Sequence, residues 1–222
     1  MTCNFQRKRL EMQTEFKSLM EFASDLANEN PKALADLVRM YLRPLQAEMI
    51  IDAVTKGQIK DVPSIDQRDF FWDRQHRLFD QLRRTIRHTK KIEIRLNRDV
   101  ILPWPWERKR LLQALATIGT GKTQGRWKQD DMNHLVHVWL PWGIPFVGGG
   151  NHSIAAGIIA GEGKIVPTEI HDMSGIFKLV ECDGMNFLDK KDGSIIAPVS
   201  DARVAAIFEI GRLMHKTKCS AW

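Results

Sequence analysis

The spacing of apolar residues changes partway along the chain, and this change limits the fold more than any other feature. In the first ninety residues, apolar side chains recur about every three to four positions, as on one face of an α-helix. From Lys91 onward, segments in which apolar and polar residues alternate are interleaved with short helical segments. We therefore predict an α+β fold, in which a helical N-terminal region (residues 1–90) packs on an α/β domain (residues 91–222) with a small mixed sheet.

The N-terminal region is predicted to contain consecutive helices. The first helix stops at the sequence NENP, where Asn30 would cap the next helix and Pro31 would occupy its first position. Pro44 is expected to start a separate short helix that ends at Gly57. A long helix over residues 67–88 would follow, and one of its faces carries a row of arginines that suits either solvent or phosphates: Arg74, Arg77, Arg83, Arg84 and Arg87.

The second half is predicted to alternate between strands and helices. Helices are expected over residues 106–119, 153–161 and 201–216, because apolar residues there follow helical spacing. The alternating or short apolar segments predict strands over residues 91–103, 134–141, 144–147, 164–172, 176–184 and 194–199.

Composition restricts the environment and the partners of the protein. The chain of 222 residues has a formal net charge of +6, which permits contact with phosphates without proving it. Apolar runs fall short of the about 18 residues that a membrane span needs, and the basic N-terminus lacks the apolar core of a secretory signal. The three cysteines are scattered, which fits a reducing compartment. We therefore expect a cytoplasmic protein without a membrane span.

The stretch IPFVGGGNHSIAAG predicts a strand, a glycine-rich turn at Gly148, Gly149 and Gly150, and a helix that begins near Asn151. Glycines allow the backbone to approach a ligand closely, and the unpaired N–H groups of a helix start favour an anion. Asn151 or Ser153 can cap this helix, and His152 adds a group that titrates near neutral pH. The stretch therefore predicts an anion site, with a mere tight connection between strand and helix as the alternative.

Other candidate motifs are weaker. The sequence GTGKT at residues 119–123 lacks the earlier glycine of a phosphate-binding P-loop, since Ala116 stands there, and is expected to be a solvent loop. His134 and His137 would point to opposite faces of a strand, which argues against a shared metal ion. The tryptophans of this half are expected to pack in the core, although one of them could stack on a base: Trp104, Trp106, Trp127, Trp139 and Trp142.

Two segments carry a family resemblance. GGGNHSIAAGIIAGEGKIVPTEIHD and IEIRLNRDVILPWPWERKRLLQAL together resemble the ParB/sulfiredoxin-like superfamily over about residues 91–174. The resemblance implies a small α/β unit that holds the phosphates of a nucleotide at the helix start. It assigns phosphate contacts to residues 149–153, and to Arg108 as their basic partner. Asn151 stands where sulfiredoxins carry the catalytic cysteine, and His152 and Ser153 replace consecutive arginines of partition proteins.

Within the superfamily, the segments LNRDVILPWPW and WLPWGIPFVGGGNHSIAAGI are most similar to the fertility-inhibition proteins of conjugative plasmids. That resemblance implies a role in blocking the transfer of a rival plasmid's DNA. Relatives in the group are linked to ATP hydrolysis and DNA cleavage. The resemblance therefore implies DNA or a nucleotide as ligand and a protein of the conjugation machinery as a candidate partner.

The leading hypothesis is a protein that acts on plasmid or phage DNA and binds ATP or a DNA phosphate at residues 148–153. His152 would donate to the phosphate or move a proton, and Glu107, Asp172 or Asp99 would help to place Mg²⁺ or a water molecule, giving an ATPase or nuclease. One alternative is a non-catalytic module that docks on a conjugation or phage component. A further alternative is a small-molecule kinase.

Overall fold

The computed structural model describes residues 2–56, 70–72, 84–85 and 92–222. It begins with helix α1 (Thr2–Glu29), a 3-10 turn (Pro31–Ala33) and helix α2 (Leu34–Thr55). The side-chain oxygen of Asn30 accepts a hydrogen bond from the Lys32 amide at 3.1 Å, and Pro31 occupies the first position of the turn. The predicted helix boundary at Asn30 is therefore confirmed.

Helix α2 runs without interruption through Pro44, so the predicted restart at this residue is wrong. Proline removes one backbone hydrogen bond from a helix interior. Residues on both sides of Pro44 are buried in the core, among them Leu42, Leu45 and Met49. Burial of this continuous apolar face outweighs the local cost of proline. The expected end of the helix at Gly57 lies outside the described residues.

The predicted helix over residues 67–88 is wrong where the structure can be described. Residues 70–72 form a bend, and strand β1 (Arg84–Thr85) lies where the helix was expected to continue. The rings of Phe70 and Phe71 are buried in an aromatic cluster, with their centres 4.9 Å apart. Arg74, Arg77, Arg83 and Arg87 lie outside the described residues.

A four-stranded mixed sheet forms the centre of the α/β part, as predicted, but one of its strands, β1, comes from the region predicted to be helical. Its strand order is β1, β6 (Glu169–Asp172), β3 (Val136–Leu140) and β4 (Ile144–Val147). Strands β3 and β6 are parallel, whereas β3 with β4 and β1 with β6 are antiparallel. Helix α3 (Arg108–Thr117) precedes β3, and helix α4 (Asn151–Ala160) follows β4.

The remaining strands are shorter than predicted. Strand β2 (Ile94–Arg95) pairs with β5 (Lys164–Ile165), and the chain then turns, so the expected strand over 91–103 is mostly loop. Strands β7 (Val180–Cys182), β8 (Asn186–Asp189) and β9 (Ile195–Pro198) form a separate antiparallel sheet. A 3-10 turn (Ser174–Lys178) replaces the start of the strand predicted over 176–184. Helix α5 (Ala202–Lys216) is as predicted.

The core explains why the two halves pack together. One apolar cluster contains residues of α2 and α5 and the sheet face that carries Trp139, Ile144 and Phe146, with side chains of α1 packed against it. A second cluster covers the opposite sheet face, where Val136 and Val138 meet Ile154 of α4. The helical N-terminal region therefore packs on the α/β part, whereas the boundary between residues 90 and 91 stays a prediction. Among the described helices, none is long and apolar enough to cross a membrane.

Candidate functional site

The starts of helices α3 and α4 lie side by side and are held together by two side chains of α4. The side-chain oxygen of Asn151 accepts a hydrogen bond from the Trp104 amide at 2.6 Å. The Nε2 atom of His152 accepts one from the Glu107 amide at 3.2 Å. Both side chains are buried, with exposed fractions of 5% and 7%. The loop that contains Trp104 and Glu107 is thus fixed against the turn that precedes α4.

These contacts decide what His152 can do chemically. Because Nε2 accepts a hydrogen bond, the proton of the neutral ring lies on Nδ1. Burial, and then the nearby positive charge of Arg110, lower the pKa of His152 below its usual value. At neutral pH the ring is therefore uncharged, and its Nε2 is already occupied. A proton-transfer role for His152 would have to use Nδ1.

The three glycines of the turn pack tightly against residues 133–137. A Cβ atom on Gly149 would lie 2.5 Å from the Asn133 carbonyl oxygen, and one on Gly150 would lie 2.2 Å from Cδ2 of His134. Gly150 also has a φ of +75°, in the left-handed region that favours glycine. Close packing thus accounts for these glycines without a ligand, which the sequence-based argument for an anion site did not foresee.

The amide groups of the turn divide into two sets. Those of Gly148 and Gly149 donate to the Leu135 carbonyl oxygen at 2.8 and 3.2 Å. The amides of residues 150–153 have no hydrogen-bond acceptor among the described residues, and the first bond within α4 runs from Ile154 to the Gly150 carbonyl at 2.9 Å. The start of α4 therefore offers unpaired N–H groups together with the positive end of the helix dipole.

These amides border a cleft of about 230 Å³ between α3 and α4. Arg110, Gln113 and Gln124 supply polar groups, and Trp106 supplies an aromatic wall. Among the described residues that line the cleft, none is acidic. A concave site with an arginine, two amide side chains and the start of a helix suits an anion.

Ser153 lines this cleft, and its hydroxyl oxygen is engaged by two side chains. Its Oγ lies 3.1 Å from Nε2 of His134 and 3.1 Å from Nε1 of Trp127, which donates to it. The Nδ1 atom of His134 accepts a hydrogen bond from the Asp130 amide at 2.7 Å, so the His134 proton is on Nε2. Burial lowers the pKa of His134, against the opposing effect of Asp130. The hydroxyl is therefore part of a neutral internal network.

Arg108, the basic partner that the resemblance implied, and Arg110 are both exposed in the first turn of α3, but of the two Arg110 lines the cleft. The guanidinium carbon of Arg110 lies 5.5 Å from the centre of the Trp106 ring, four residues earlier. In the helix predicted over residues 106–119 these two residues are four apart and would share a face, and this spacing between an aromatic residue and an arginine is the signal that could have singled out Arg110.

The expected catalytic and metal-binding carboxylates are not brought together. Asp172 pairs with Leu140 at the end of β3 remote from the glycine turn, and its Oδ1 accepts from the Ser174 amide at 2.9 Å. Asp99 is buried and binds the Arg95 amide at 2.8 Å and Nε of Arg98 at 2.9 Å. Glu107 precedes α3 and makes no side-chain capping bond. A magnesium site formed by these carboxylates therefore has no support in the geometry.

The structure does gather a different set of metal-ligand side chains, which the sequence interpretation missed. His137 of β3 and Glu169 and His171 of β6 place one ligand atom each within 4.8 Å of the others. The signal in the sequence was the pair Glu169 and His171, two residues apart in a strand and hence on one face. That β6 lies beside β3, and so brings in His137, was not visible locally.

Comparisons with known proteins give a family and nothing further. The model of a family of unknown function, DUF6710, matches residues 2–221, nearly the whole chain. Neither curated proteins nor solved structures gave a match.

Proposed function

We propose that this chain, which belongs to the DUF6710 family, binds the phosphate of a nucleotide or of a DNA strand in the cleft between the starts of α3 and α4. The observation that carries the proposal is that Arg110 and residues 150–153, whose amides are unpaired among the described residues, line one cleft. Hydrogen bonds from charged donors to phosphate are among the strongest in proteins, and arginine suits phosphate geometry.

The aromatic wall of the cleft favours a ligand with a base. Trp106 is half-buried, and its ring meets that of His152 edge to face at 4.6 Å. Trp127, Trp139 and Trp142 are buried in the core and Trp104 packs against it, which leaves Trp106 as the one of these five tryptophans that lines this cleft. A cavity of about 230 Å³ is smaller than the roughly 300–1,000 Å³ of sites that enclose drug-sized ligands. A nucleotide would therefore place its phosphate at the helix start and its base on the outer side of Trp106.

The biological role that we propose follows from the sequence resemblance. A cytoplasmic protein similar to ParB/sulfiredoxin-like fertility-inhibition proteins would use this cleft to act on plasmid or phage DNA, or on its transfer. Binding is better supported than turnover. Glu107, Asp172 and Asp99 lie apart or are already bonded, so they do not form the carboxylate group that ATP hydrolysis or DNA cleavage would use.

This last observation favours a second candidate function, a non-catalytic module whose ligand-bound state blocks a protein of the conjugation machinery. In that case the nucleotide or DNA phosphate would be bound and not hydrolysed. The exposed apolar side chains Phe22 and Met40 of the N-terminal helices are candidate contacts for such a partner. The two functions differ in one measurement, the turnover of ATP or DNA by the purified protein.

The test is a binding screen of nucleotides and short single- and double-stranded DNAs, with thermal shift followed by calorimetry. Arg110→Gln removes the charge inside the cleft, and Arg108→Gln removes a charge from the same helix outside it. We expect Arg110→Gln to weaken binding of the best ligand by tenfold or more, since about 1.5–3 kcal/mol is typical for a charged hydrogen bond. Equal binding by both variants, or binding of no phosphate ligand by the folded wild type, would overturn the proposal.

A further inference from the structure

His137, Glu169 and His171 share one face of the mixed sheet because of strand register. Glu169 and His171 are two residues apart on β6, so their side chains point to the same side. In the parallel pairing of β3 with β6, His137 lies directly opposite Glu169. The two histidine rings are nearly parallel, at 16°, with their centres 5.9 Å apart. The arrangement is thus built into the backbone of two adjacent strands.

The ligand atoms converge on one oxygen. Oε2 of Glu169 lies 3.3 Å from Nδ1 of His137 and 3.0 Å from Nε2 of His171. A metal ion with bonds of about 2.0–2.2 Å to nitrogen and oxygen holds neighbouring ligand atoms roughly 3.0–3.5 Å apart. The two separations from Oε2 of Glu169 therefore match edges of a coordination polyhedron, and all three ligand atoms lie within 4.8 Å of one another.

The environment of His137 fixes which of its nitrogen atoms faces this cluster. A Cβ atom on Gly148 would lie 3.1 Å from Nε2 of His137, so the glycine turn packs against the Nε2 side of the ring. The opposite edge presents Nδ1 to Glu169. This Nδ1 is buried and has no hydrogen-bond partner among the described residues. A buried polar atom without a partner is costly in a folded protein, and a bound metal ion would remove that cost.

The exposure of the three side chains is graded. His171 is fully buried, His137 is 18% exposed and Glu169 is 40% exposed. A cluster that is anchored in the core on one side and reaches solvent on the other differs from a closed structural site, which surrounds its metal with four protein ligands. Three protein ligands leave coordination positions for water or a substrate atom.

We propose that His137 Nδ1, Glu169 Oε2 and His171 Nε2 form a binding site for a divalent transition-metal ion such as Zn²⁺. Two imidazoles with one carboxylate suit Zn²⁺, Fe²⁺ or Co²⁺ and not Mg²⁺ or Ca²⁺, which prefer oxygen ligands only. The site lies on the β3 side of the glycine turn, whereas the anion cleft lies at the start of α4. The metal site does not depend on the proposed phosphate ligand.

The competing explanation is that no metal binds and that His137 and His171 interact with the carboxylate of Glu169 instead. It predicts a folded protein that retains no metal and gains no stability from adding one. The metal site predicts one bound equivalent of Zn²⁺ per chain and a higher melting temperature, because a ligand that binds only the folded state stabilises it.

The experiment starts from wild-type protein stripped with a chelator and titrated with Zn²⁺, Co²⁺ and Mg²⁺. Calorimetry gives the stoichiometry and affinity, and Co²⁺ reports its ligands through visible d–d absorption. The first variants are Glu169→Gln and His137→Asn, since both side chains reach the surface; His171 is fully buried and its variants risk misfolding. Matched controls are Glu181→Gln and His215→Asn, exposed residues in other elements.

We expect one equivalent of Zn²⁺ and of Co²⁺ to bind to the wild type and to both controls. Both site variants should lose affinity by at least the roughly 10–100-fold that loss of a supporting residue near a metal costs. Mg²⁺ should bind far more weakly. The inference is overturned if folded wild-type protein binds neither Zn²⁺ nor Co²⁺ stoichiometrically, if the site variants bind as the controls do, or if Mg²⁺ is the preferred ion.

Discussion

The cleft between the starts of α3 and α4 (the anion cleft) and the His137–Glu169–His171 cluster border the same glycine turn. They differ in the groups that form them, which are mainly backbone amides in the cleft and side chains in the cluster. The cleft depends on backbone amides at residues 150–153, which belong to one continuous stretch of chain, with Arg110 added from α3. The cluster depends on side chains from two strands that are adjacent only after folding. The sequence pattern locates the helix start of the cleft completely, whereas for the cluster it locates only Glu169 and His171.

This difference explains which of the candidate residues the fold brings together and which it does not. A helix start after glycines is a local feature, so the position of the start of α4 was predicted from the sequence. That its unpaired amides bind an anion stays a prediction. Asp99, Glu107 and Asp172 were predicted to place Mg²⁺ or a water molecule, because they lie beside the predicted strand ends. Parallel pairing instead places Asp172 beside Leu140 at the far end of β3 and Glu169 beside His137 at the near end. Strand register therefore decides which carboxylate, Asp172 or Glu169, lies near the glycine turn.

The largest expected effect tests whether the turn supports both sites. Gly150→Ala forces a side chain into a left-handed backbone conformation and toward the His134 ring, and should lower the free energy of unfolding by roughly 2–5 kcal/mol. Gly121→Ala is the matched control, with a φ of +79° but no atom within 4 Å of the new Cβ, and should cost about 1 kcal/mol. Urea denaturation measures both, and equal losses would show that the turn is not tightly packed.

The next effect tests whether the two sites are independent. Arg110→Gln should weaken phosphate binding by tenfold or more and leave Zn²⁺ affinity unchanged, since loss of a charged hydrogen bond costs about 1.5–3 kcal/mol. Glu169→Gln should weaken Zn²⁺ binding and leave the affinity for phosphate unchanged. Calorimetry of both ligands on both variants completes the comparison. A variant that weakens both ligands while remaining folded would show that the sites form one composite centre.

A smaller effect refines the anion cleft. Trp106→Ala should weaken nucleotide binding by about 1–3 kcal/mol, the contribution of one stacked base, without changing the affinity for inorganic phosphate. Trp106→Phe keeps an aromatic surface and should restore most of the affinity. If alanine and phenylalanine variants bind nucleotide equally, Trp106 does not contact the base.

The smallest effect concerns pH. Burial lowers the pKa of His134 and of His152, so the unfolded chain binds more protons than the folded one below about pH 6.5. Their contribution to stability is complete above that pH and is lost as pH falls through the lowered folded-state pKa values. The melting temperature of the wild type should therefore drop on acidification from pH 7.5.

The variant His152→Gln tests this assignment, because glutamine keeps a hydrogen-bond acceptor for the Glu107 amide and does not titrate. The difference in melting temperature between the wild type and this variant should change as the pH is lowered from 7.5 through the folded-state pKa of His152. A constant difference would mean that His152 does not contribute to the pH dependence.

Much of the fold could be predicted because its signals are local. The cap at Asn30 and the boundaries of α3, α4 and α5 follow from residues within one turn of each helix end. The errors arose where burial opposed a local signal. Helix α2 continues through Pro44 because its apolar face is buried, and residues 70–72 form a bend because the Phe70 and Phe71 rings enter an aromatic cluster with Phe146 and Trp142.

By itself the sequence determined the order of elements, the two kinds of periodicity and the place of an exposed helix start, since each depends on neighbouring residues. The tertiary structure decided that β6 lies beside β3, that Arg110 and not Arg108 lines the cleft, and that two histidines meet Glu169. Strand order and register place residues that are 32–34 positions apart in contact, and the free energy that selects them comes from packing of the whole sheet against α1, α2, α4 and α5.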